Sequence, residues 1–278
     1  MFLSLAAVLL LQAPAGGAEI RTVSASIVDD KGASVLGLKK DDVAVMEGGV
    51  AREVVSVEPD ARPLVIALLV DTSREIAADF RLRIVDAVIT FLRHLPDGSR
   101  FTLWTTGDRP TQLTELGNDV PAAEQALRKA FLTGGNTLMD ALVEATRTLK
   151  AQEGSESVVV VVTGLTTNVG NRDRLTAARE ARKNADLFLA VEFQEGAGGA
   201  QAQADYGYAL ETLTRQTGGL FEMPVSVMGV APALDRIGSV LRARYRIRYA
   251  TLPEVKDRKI RVQVARPGIT VLLAPSDR

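Results

Sequence analysis

The stretch Leu64-Val65-Ile66-Ala67-Leu68-Leu69-Val70-Asp71-Thr72-Ser73-Arg74-Glu75 decides the fold. Seven apolar residues in a row, set off by Pro63 before and a polar turn after, describe a strand buried on both faces. Such strands belong to parallel sheets covered by helices, and ligands bind there outside the carboxyl ends of the strands. Asp71 falls at that end, with Ser73 and Glu75 at alternate positions behind it. These are the first candidates for a site.

Downstream, the periodicity switches back and forth between helix and strand. Phe80, Ile84, Ala87, Val88, Phe91 and Leu95 recur at helical spacing until Pro96-Asp97-Gly98. Residues 100–105 read as a strand, with 111–116 paired beside it, and Pro121 opens a helix carrying Ala122, Leu127 and Ala130. Gly134-Gly135-Asn136 is a tight loop, from which Thr137 leads a helix with Leu138, Ala141, Leu142 and Leu149. The five valines at 158–162 mark a central parallel strand. A helix at 175–183, a strand at 187–193, a Gly/Ala-rich tip at 195–202 and a helix at 208–217 come next. Gly218-Gly219 caps that helix, a short edge strand starts at Leu220-Phe221, and the last helix covers 230–241. Repeated alternation of this kind predicts a doubly wound α/β domain over residues 63–241.

The flanks follow a different rule. Val23, Ala25 and Ile27 alternate with polar residues, Asp29-Asp30-Lys31-Gly32 is a turn, and Val43, Val45, Val54, Val55 and Val57 mark further short strands. A β unit at 19–60 would be marginal alone, so it needs partners from elsewhere. They are found at 242–278, where Arg242, Arg244, Arg246 and Arg248 alternate with Ala243, Tyr245, Ile247 and Tyr249. Ile260, Val262 and Val264 alternate again, and Pro267-Gly268 turns into a strand at 269–273. The α/β domain is therefore expected as an insertion between two halves of a small β-sandwich. The row of arginines reads as the solvated face of a strand that discourages edge pairing; the other reading is a docking strip for an acidic partner.

Residues 1–18 combine an apolar run at 2–11 with small residues before Glu19. That pattern is expected of a secretory signal peptide, too short to span a bilayer as a helix, and it places the protein outside the cytoplasm, periplasmic or secreted.

Composition removes several classes of function. Across 278 residues, 33 basic and 34 acidic side chains leave a net charge of −1, a balance that suggests neither a nucleic-acid binder nor a membrane-surface protein. There is no cysteine, hence no disulfide, thiolate metal site, cysteine nucleophile or lipoprotein anchor, and one histidine, His94, rules out multi-histidine metal sites. No P-loop is present, and neither glycine cluster has the strand-glycine-helix context of a dinucleotide fold. His94 sits near a helix end ahead of Pro96, a poor place for a triad base. Trp104 lies on a strand, as a core residue would.

Taken together, Asp71-Thr72-Ser73-Arg74-Glu75 after an apolar strand, Gly135-Asn136-Thr137 at a helix start, and Val160-Val161-Val162-Thr163-Gly164 resemble a von Willebrand factor A domain. The flanks, with the 37–49 stretch GLKKDDVAVMEGG and the Tyr245-Arg246-Ile247-Arg248-Tyr249 strand, resemble an exported bacterial subgroup of that family. The resemblance implies a Rossmann-like sheet with a metal-ion-dependent adhesion site at its carboxyl edge. The family builds that site from a D-x-S-x-S loop, a threonine and a third-loop aspartate, and leaves an open metal position for a partner's carboxylate.

This sequence departs from the pattern twice: Glu75 replaces the second serine, and Gly164 stands where the third aspartate would be. Asp71, Ser73, Glu75 and Thr137 remain as candidate ligands for Mg2+, Ca2+ or Mn2+. Direct donation from Glu75 would weaken the metal's pull on a partner carboxylate. Three readings stay open: loops that only cap helices and hold Asp71, altered metal binding, and a metal-free contact surface. Asp140 would support the second loop or lie exposed on its helix; Asp108 would reach the rim or form a turn. The expected function is that of a non-enzymatic protein-interaction module with weakened or lost metal binding, its partner a protein that offers an acidic side chain. The alternatives are a metal-assisted hydrolase on the same sheet and a purely structural envelope component.

Overall fold

The computed structural model describes residues 19–149, 154–252 and 258–274. The expected signal peptide at 1–18 lies outside the described residues. The chain starts with β1 (Glu19–Asp29), β2 (Val43–Glu47), β3 (Val50–Arg52) and β4 (Val54–Pro59). It then enters β5 (Leu64–Val70), every residue of which is buried.

A helical run follows β5: a 3₁₀ turn (Arg74–Ile76), α1 (Ala77–Asp79), a π turn (Phe80–Ile84) and α2 (Val85–Arg93). The wide turn buries both Phe80 and Ile84 while Leu82 stays exposed. Next come β6 (Arg100–Thr105), β7 (Thr111–Gln112), α3 (Val120–Arg128) and α4 (Leu138–Thr148). β8 (Glu156–Gly164), α5 (Arg174–Arg182), β9 (Leu187–Phe193), α6 (Gly199–Thr217), β10 (Phe221–Glu222) and α7 (Val230–Arg242) complete the alternation. The chain closes with β11 (Arg244–Thr251), β12 (Ile260–Val264) and β13 (Ile269–Leu273).

The central sheet has six strands in the order β10-β9-β8-β5-β6-β7. All neighbours are parallel except β7, which returns antiparallel along β6. The period-two geometry of a strand divides its apolar residues between two cores. Ile66, Leu68, Val158, Val160 and Leu189 meet α2, α3 and α7 on one face. Ala67, Leu69, Trp104, Val159, Val161 and Phe188 meet α4, α5 and α6 on the other. The central strands are covered on both sides, which is why β5 and β8 read as apolar runs.

The terminal strands form two further antiparallel sheets, β13-β1-β11-β4 and β12-β2-β3. Between them lie Ala25, Ile27, Val43, Val45, Tyr245, Ile247 and Val262. β1 pairs with β11 from Glu19↔Thr251 to Ser26↔Arg244, so the first and last parts of the chain share one sheet. Tyr245 donates its hydroxyl to the Val35 carbonyl at 3.0 Å.

Three local expectations need correction. The strand beside β6 is only Thr111–Gln112. α6 begins at Gly199, nine residues before the expected start, because Ala202 and Tyr206, one turn apart, are both buried in the core on that side of the sheet. The arginine row is not uniformly solvated: Arg246 and Arg248 are exposed, but Arg244 is buried. Its guanidinium pairs with Asp60 at 3.1 Å and also with Glu156, at the junction between the β-sandwich and the α/β domain.

Candidate functional site

The carboxyl ends of β5, β6, β8 and β9 carry four loops, and polar groups from the loops after β5 and β8 and from the segment before α4 converge on Asp71. Its backbone N–H still belongs to the sheet, donating to the Val162 carbonyl at 2.9 Å. The side chain turns into a buried network. Oδ1 accepts from the Ser73 N–H at 2.8 Å. Oδ2 accepts from the Thr166 hydroxyl at 2.8 Å, the Asn136 amide at 2.9 Å, and the Thr163 hydroxyl and Gly164 N–H at 3.2 Å. Burial pushes the Asp71 carboxyl above its usual range, against the lowering effect of the donors from Ser73, Thr166 and Gly164.

Asn136 is the keystone of this arrangement, fully buried at the end of the loop that leads into α4. Its Oδ1 accepts from the Thr106 hydroxyl at 2.7 Å, and its Nδ2 also reaches Thr163 at 2.9 Å and Thr166 at 3.0 Å. Its backbone donates to the Thr167 carbonyl at 2.8 Å and accepts from the Val169 N–H at 2.9 Å. One side chain thus ties together the loops after β5, β6 and β8.

Of the four expected ligands, Asp71 and Ser73 lie together, and the other two turn away. Thr137 donates its hydroxyl to the Gly107 carbonyl at 2.9 Å and the Thr106 carbonyl at 3.3 Å. Glu75 accepts from the Thr167 hydroxyl at 2.6 Å, the Thr167 N–H at 3.1 Å and the Ala197 N–H at 2.6 Å. Burial raises the Glu75 carboxyl, but the bonds from Thr167 and Ala197 outweigh it and hold the group below its usual range. Asp140 is buried rather than exposed on its helix, accepting from Arg172 at 2.6 Å and the Asn171 N–H at 2.7 Å. Asp108 accepts from the Thr133 hydroxyl at 2.7 Å, joining the loop after β6 to the one before α4.

The position of the family's third aspartate is filled by the chain itself. A side chain at Gly164 would put its Cβ 2.8 Å from the Glu195 carbonyl oxygen and 2.9 Å from the Phe193 ring. The loop after β9 lies there, with Leu165 N–H donating to Glu195 at 2.8 Å and Gly198 N–H donating to Leu165 at 2.9 Å. Glu75 holds the tip of that loop through Ala197.

At this edge, the Ser73 hydroxyl and the Tyr206 hydroxyl are buried without a hydrogen-bond partner among the described residues. Burial, and then the charge of Asp71, pushes the titration of Tyr206 upward. An unpartnered serine oxygen beside an aspartate is what a cation site would offer, but the remaining groups do not fit one. A hard divalent ion needs about six oxygens around it. Asn136 presents N–H groups to Asp71, and Thr137 and Glu75 spend their oxygens elsewhere. Among the described residues, no three acidic or imidazole side chains gather closely enough to hold a metal. Asp71 is held by protein donors.

Asn136 was legible only as part of a turn. Both it and Thr137 are polar residues at one helix start, and which of them faces Asp71 depends on how the loop enters α4.

Comparison with known proteins gives a family match. The family model described as von Willebrand factor type A domain matches residues 66–222. No curated protein sequence matches the chain at a significant level. A von Willebrand factor type A structure from Catenulispora acidiphila is similar with a TM-score of 0.56 and 9% identity, covering 97% of this chain and 76% of that one. Proximal thread matrix protein 1 from the mussel byssus, solved with a zinc-occupied MIDAS motif, has a TM-score of 0.54 and 17% identity. The likeness covers 70% of this chain and 50% of that one. The vWF domain of the type V pili tip protein Mfa5 from Porphyromonas gingivalis has a TM-score of 0.53 and 10% identity, covering 65% and 95%. At these identities the likeness is one of fold.

Proposed function

The chain belongs to the von Willebrand factor type A domain family, and on that premise we propose that it is a non-enzymatic protein-interaction module. Its binding surface is the carboxyl edge of the central sheet, and it works with weakened or lost divalent-metal binding. The observation that carries this reading is the network around Asp71, whose carboxylate already accepts from Ser73, Asn136, Thr163, Gly164 and Thr166. A cation at Asp71 Oδ2 would have to displace the Asn136 amide, which also braces Thr106, Thr163 and Thr166.

The residues of the chain then act as a scaffold. Asn136 and Asp71 fix the loops relative to one another, and Glu75 fixes the loop at 194–198. These loops present exposed groups at the edge, among them Thr167 and Val169. Pre-organised loops bind at a smaller entropic cost than mobile ones. A partner is met by hydrogen bonding, charge and shape. In the family's adhesion sites a bound metal supplies a Lewis-acid position for a partner's carboxylate; here that role falls to the protein surface. We further place the protein outside the cytoplasm, on the pattern of residues 1–18. Among the described residues, no helix is long and apolar enough to cross a membrane.

The test combines melting with capture. A ligand at 100 times its dissociation constant adds about 2.7 kcal/mol, so millimolar Mg2+, Ca2+ or Mn2+ would raise the melting temperature visibly over chelator if any were bound. The expected result is no shift for wild type, together with a fall of several degrees for Asn136→Ala, whose loss strands buried polar groups at about 1–3 kcal/mol each. Immobilised protein should retain a partner from envelope extract in chelator, and Val169→Asp should lose it. Capture that requires a divalent ion would overturn the metal-free reading. Turnover of any hydrolysable substrate that disappears in Asp71→Asn would overturn the non-enzymatic one.

A further inference from the structure

Beside the Asp71 network, on the α3 side of the same edge, lies a groove of about 720 Å³ bounded by the loop after β6 and the segment joining α3 to α4. Its apolar lining includes Leu113, Ala126, Ala130 and Phe131. Phe131 is 86% exposed, more than any other large apolar residue among those described. Its neighbours explain the placement: Ala130 is buried and Leu132 packs on the core, so Phe131 between them is turned outward. An exposed aromatic residue alone needs no explanation. An exposed aromatic on the wall of a groove that would hold one or two side chains is a different case.

The charges at the groove point to an occupant. Arg109 and Lys129 both line it, and neither has a carboxylate within salt-bridge range among the described residues. Lys129 follows the end of α3, where a basic residue often serves the last carbonyls. That role is already taken: Arg81 donates to the Arg128 carbonyl, and to the Ala130 carbonyl at 3.3 Å. The acid in the lining, Asp108, is engaged by Thr133 at 2.7 Å. Two cations against one carboxylate leave the groove positive beside an apolar floor, on a chain whose net charge is −1.

We propose that this groove is the specificity pocket of the binding edge, and that it takes an acidic segment of a partner protein carrying an aromatic side chain. The aromatic ring of the partner stacks on Phe131 and lies over Leu113 and Ala130, while flanking carboxylates meet Arg109 and Lys129. This inference rests on the carboxyl edge being the binding end of the molecule. It adds the partner's chemistry and a cationic means of recognising it that needs no metal. Attraction by exposed cations is screened over about 8 Å at physiological salt, so the charged part of the affinity falls with ionic strength while the apolar part stays.

The probe is an acetylated, amidated peptide with two aspartates flanking a phenylalanine, titrated into isotope-labelled full chain in chelator. The comparison peptide carries lysines in place of the aspartates. The expected result is saturable amide shifts in residues 105–113 and 126–133, at least tenfold weaker binding of the lysine peptide, and a similar loss in Arg109→Glu/Lys129→Glu and in Phe131→Ser. All three positions are exposed, so unchanged melting temperatures are expected for these variants. Equal binding of both peptides, or no saturable shift, overturns the proposal. Shifts confined to residues 167–170 and 195–198 overturn it as well, but leave the edge as the binding end. Partner capture lost in Val169→Asp and unaffected by the groove variants has the same meaning.

Discussion

Glu192 stands in β9 with its carboxyl buried; Oε1 accepts from the Gln194 amide at 3.1 Å, and Oε2 meets no donor. Burial pushes its pKa from 4.5 to about 7, only partly opposed by Gln194. The folded chain therefore keeps a proton that the unfolded chain releases. Stability contributed by the protonated form is fully present below pH 4.5 and is lost as pH rises to about 7. A shift of that size corresponds to roughly 3 kcal/mol. Glu192→Gln, which is neutral at every pH, should melt at the wild-type temperature near pH 4.5 and several degrees above it at pH 8. A melting difference that does not change with pH would show that the carboxyl ionises freely in the folded chain. This residue could not be singled out beforehand, because an acid inside Leu187–Phe193 looks like the polar half of an alternating strand. The same holds for Asn136, whose partner is set by the path of a loop, whereas Asp71 was legible because an apolar run ended on it.

At the scale of elements, the apolar runs were readable: β5, β8 and β9 fall where their hydrophobic runs lie, all of them short, and β5 and β8 rich in β-branched residues, as strands covered on both faces are. What could not be read was the loop at 194–198, which has no periodicity and takes its position from contacts far away in sequence. Gly164 is the nearest thing to a signal, and its meaning is steric: its backbone is not left-handed, but the Glu195 carbonyl lies where a Cβ would go. Gly164→Ala should cost about 1–3 kcal/mol as an overpacking change. The amides of Leu165 and Gly198, which bond across this contact, should then exchange faster with solvent. Gly164→Asp, which would restore one of the two ligands missing from the family's set, should be worse still and gain no stability from divalent ions. Wild-type exchange rates in Gly164→Ala would mean that the loop after β9 does not rest there.

The whole molecule is held at its other end by charge. Asp60, Arg62, Glu156 and Arg244 meet where β4, β8 and β11 come together, with Arg62 2.5 Å from Asp60 and 2.9 Å from Glu156. A period of two placed all the arginines of β11 on one face, and a strand by itself holds no information that one end of that face abuts another domain. The two carboxyls respond in opposite directions. Burial raises Asp60, but bonding to Arg62 and the charge of Arg244 outweigh it and lower it; for Glu156 burial wins over both arginines and raises it. Asp60 thus contributes stability above its unfolded pKa of 3.8 that is lost as pH falls, and Glu156 loses stability as pH rises above 4.5. Arg244→Ala removes a cation that lowers both, leaving two buried carboxylates to share Arg62. Breaking a buried pair in this way costs about 3–5 kcal/mol. The cost is largest where both acids must stay ionised, so the melting deficit of Arg244→Ala should be greatest above pH 7 and shrink as the buffer approaches pH 5. A deficit that is small, or constant across that range, would mean that the sandwich is joined to the α/β domain by apolar contact alone, through Val28 and the strand-to-helix bond from Ile27 to Ala243.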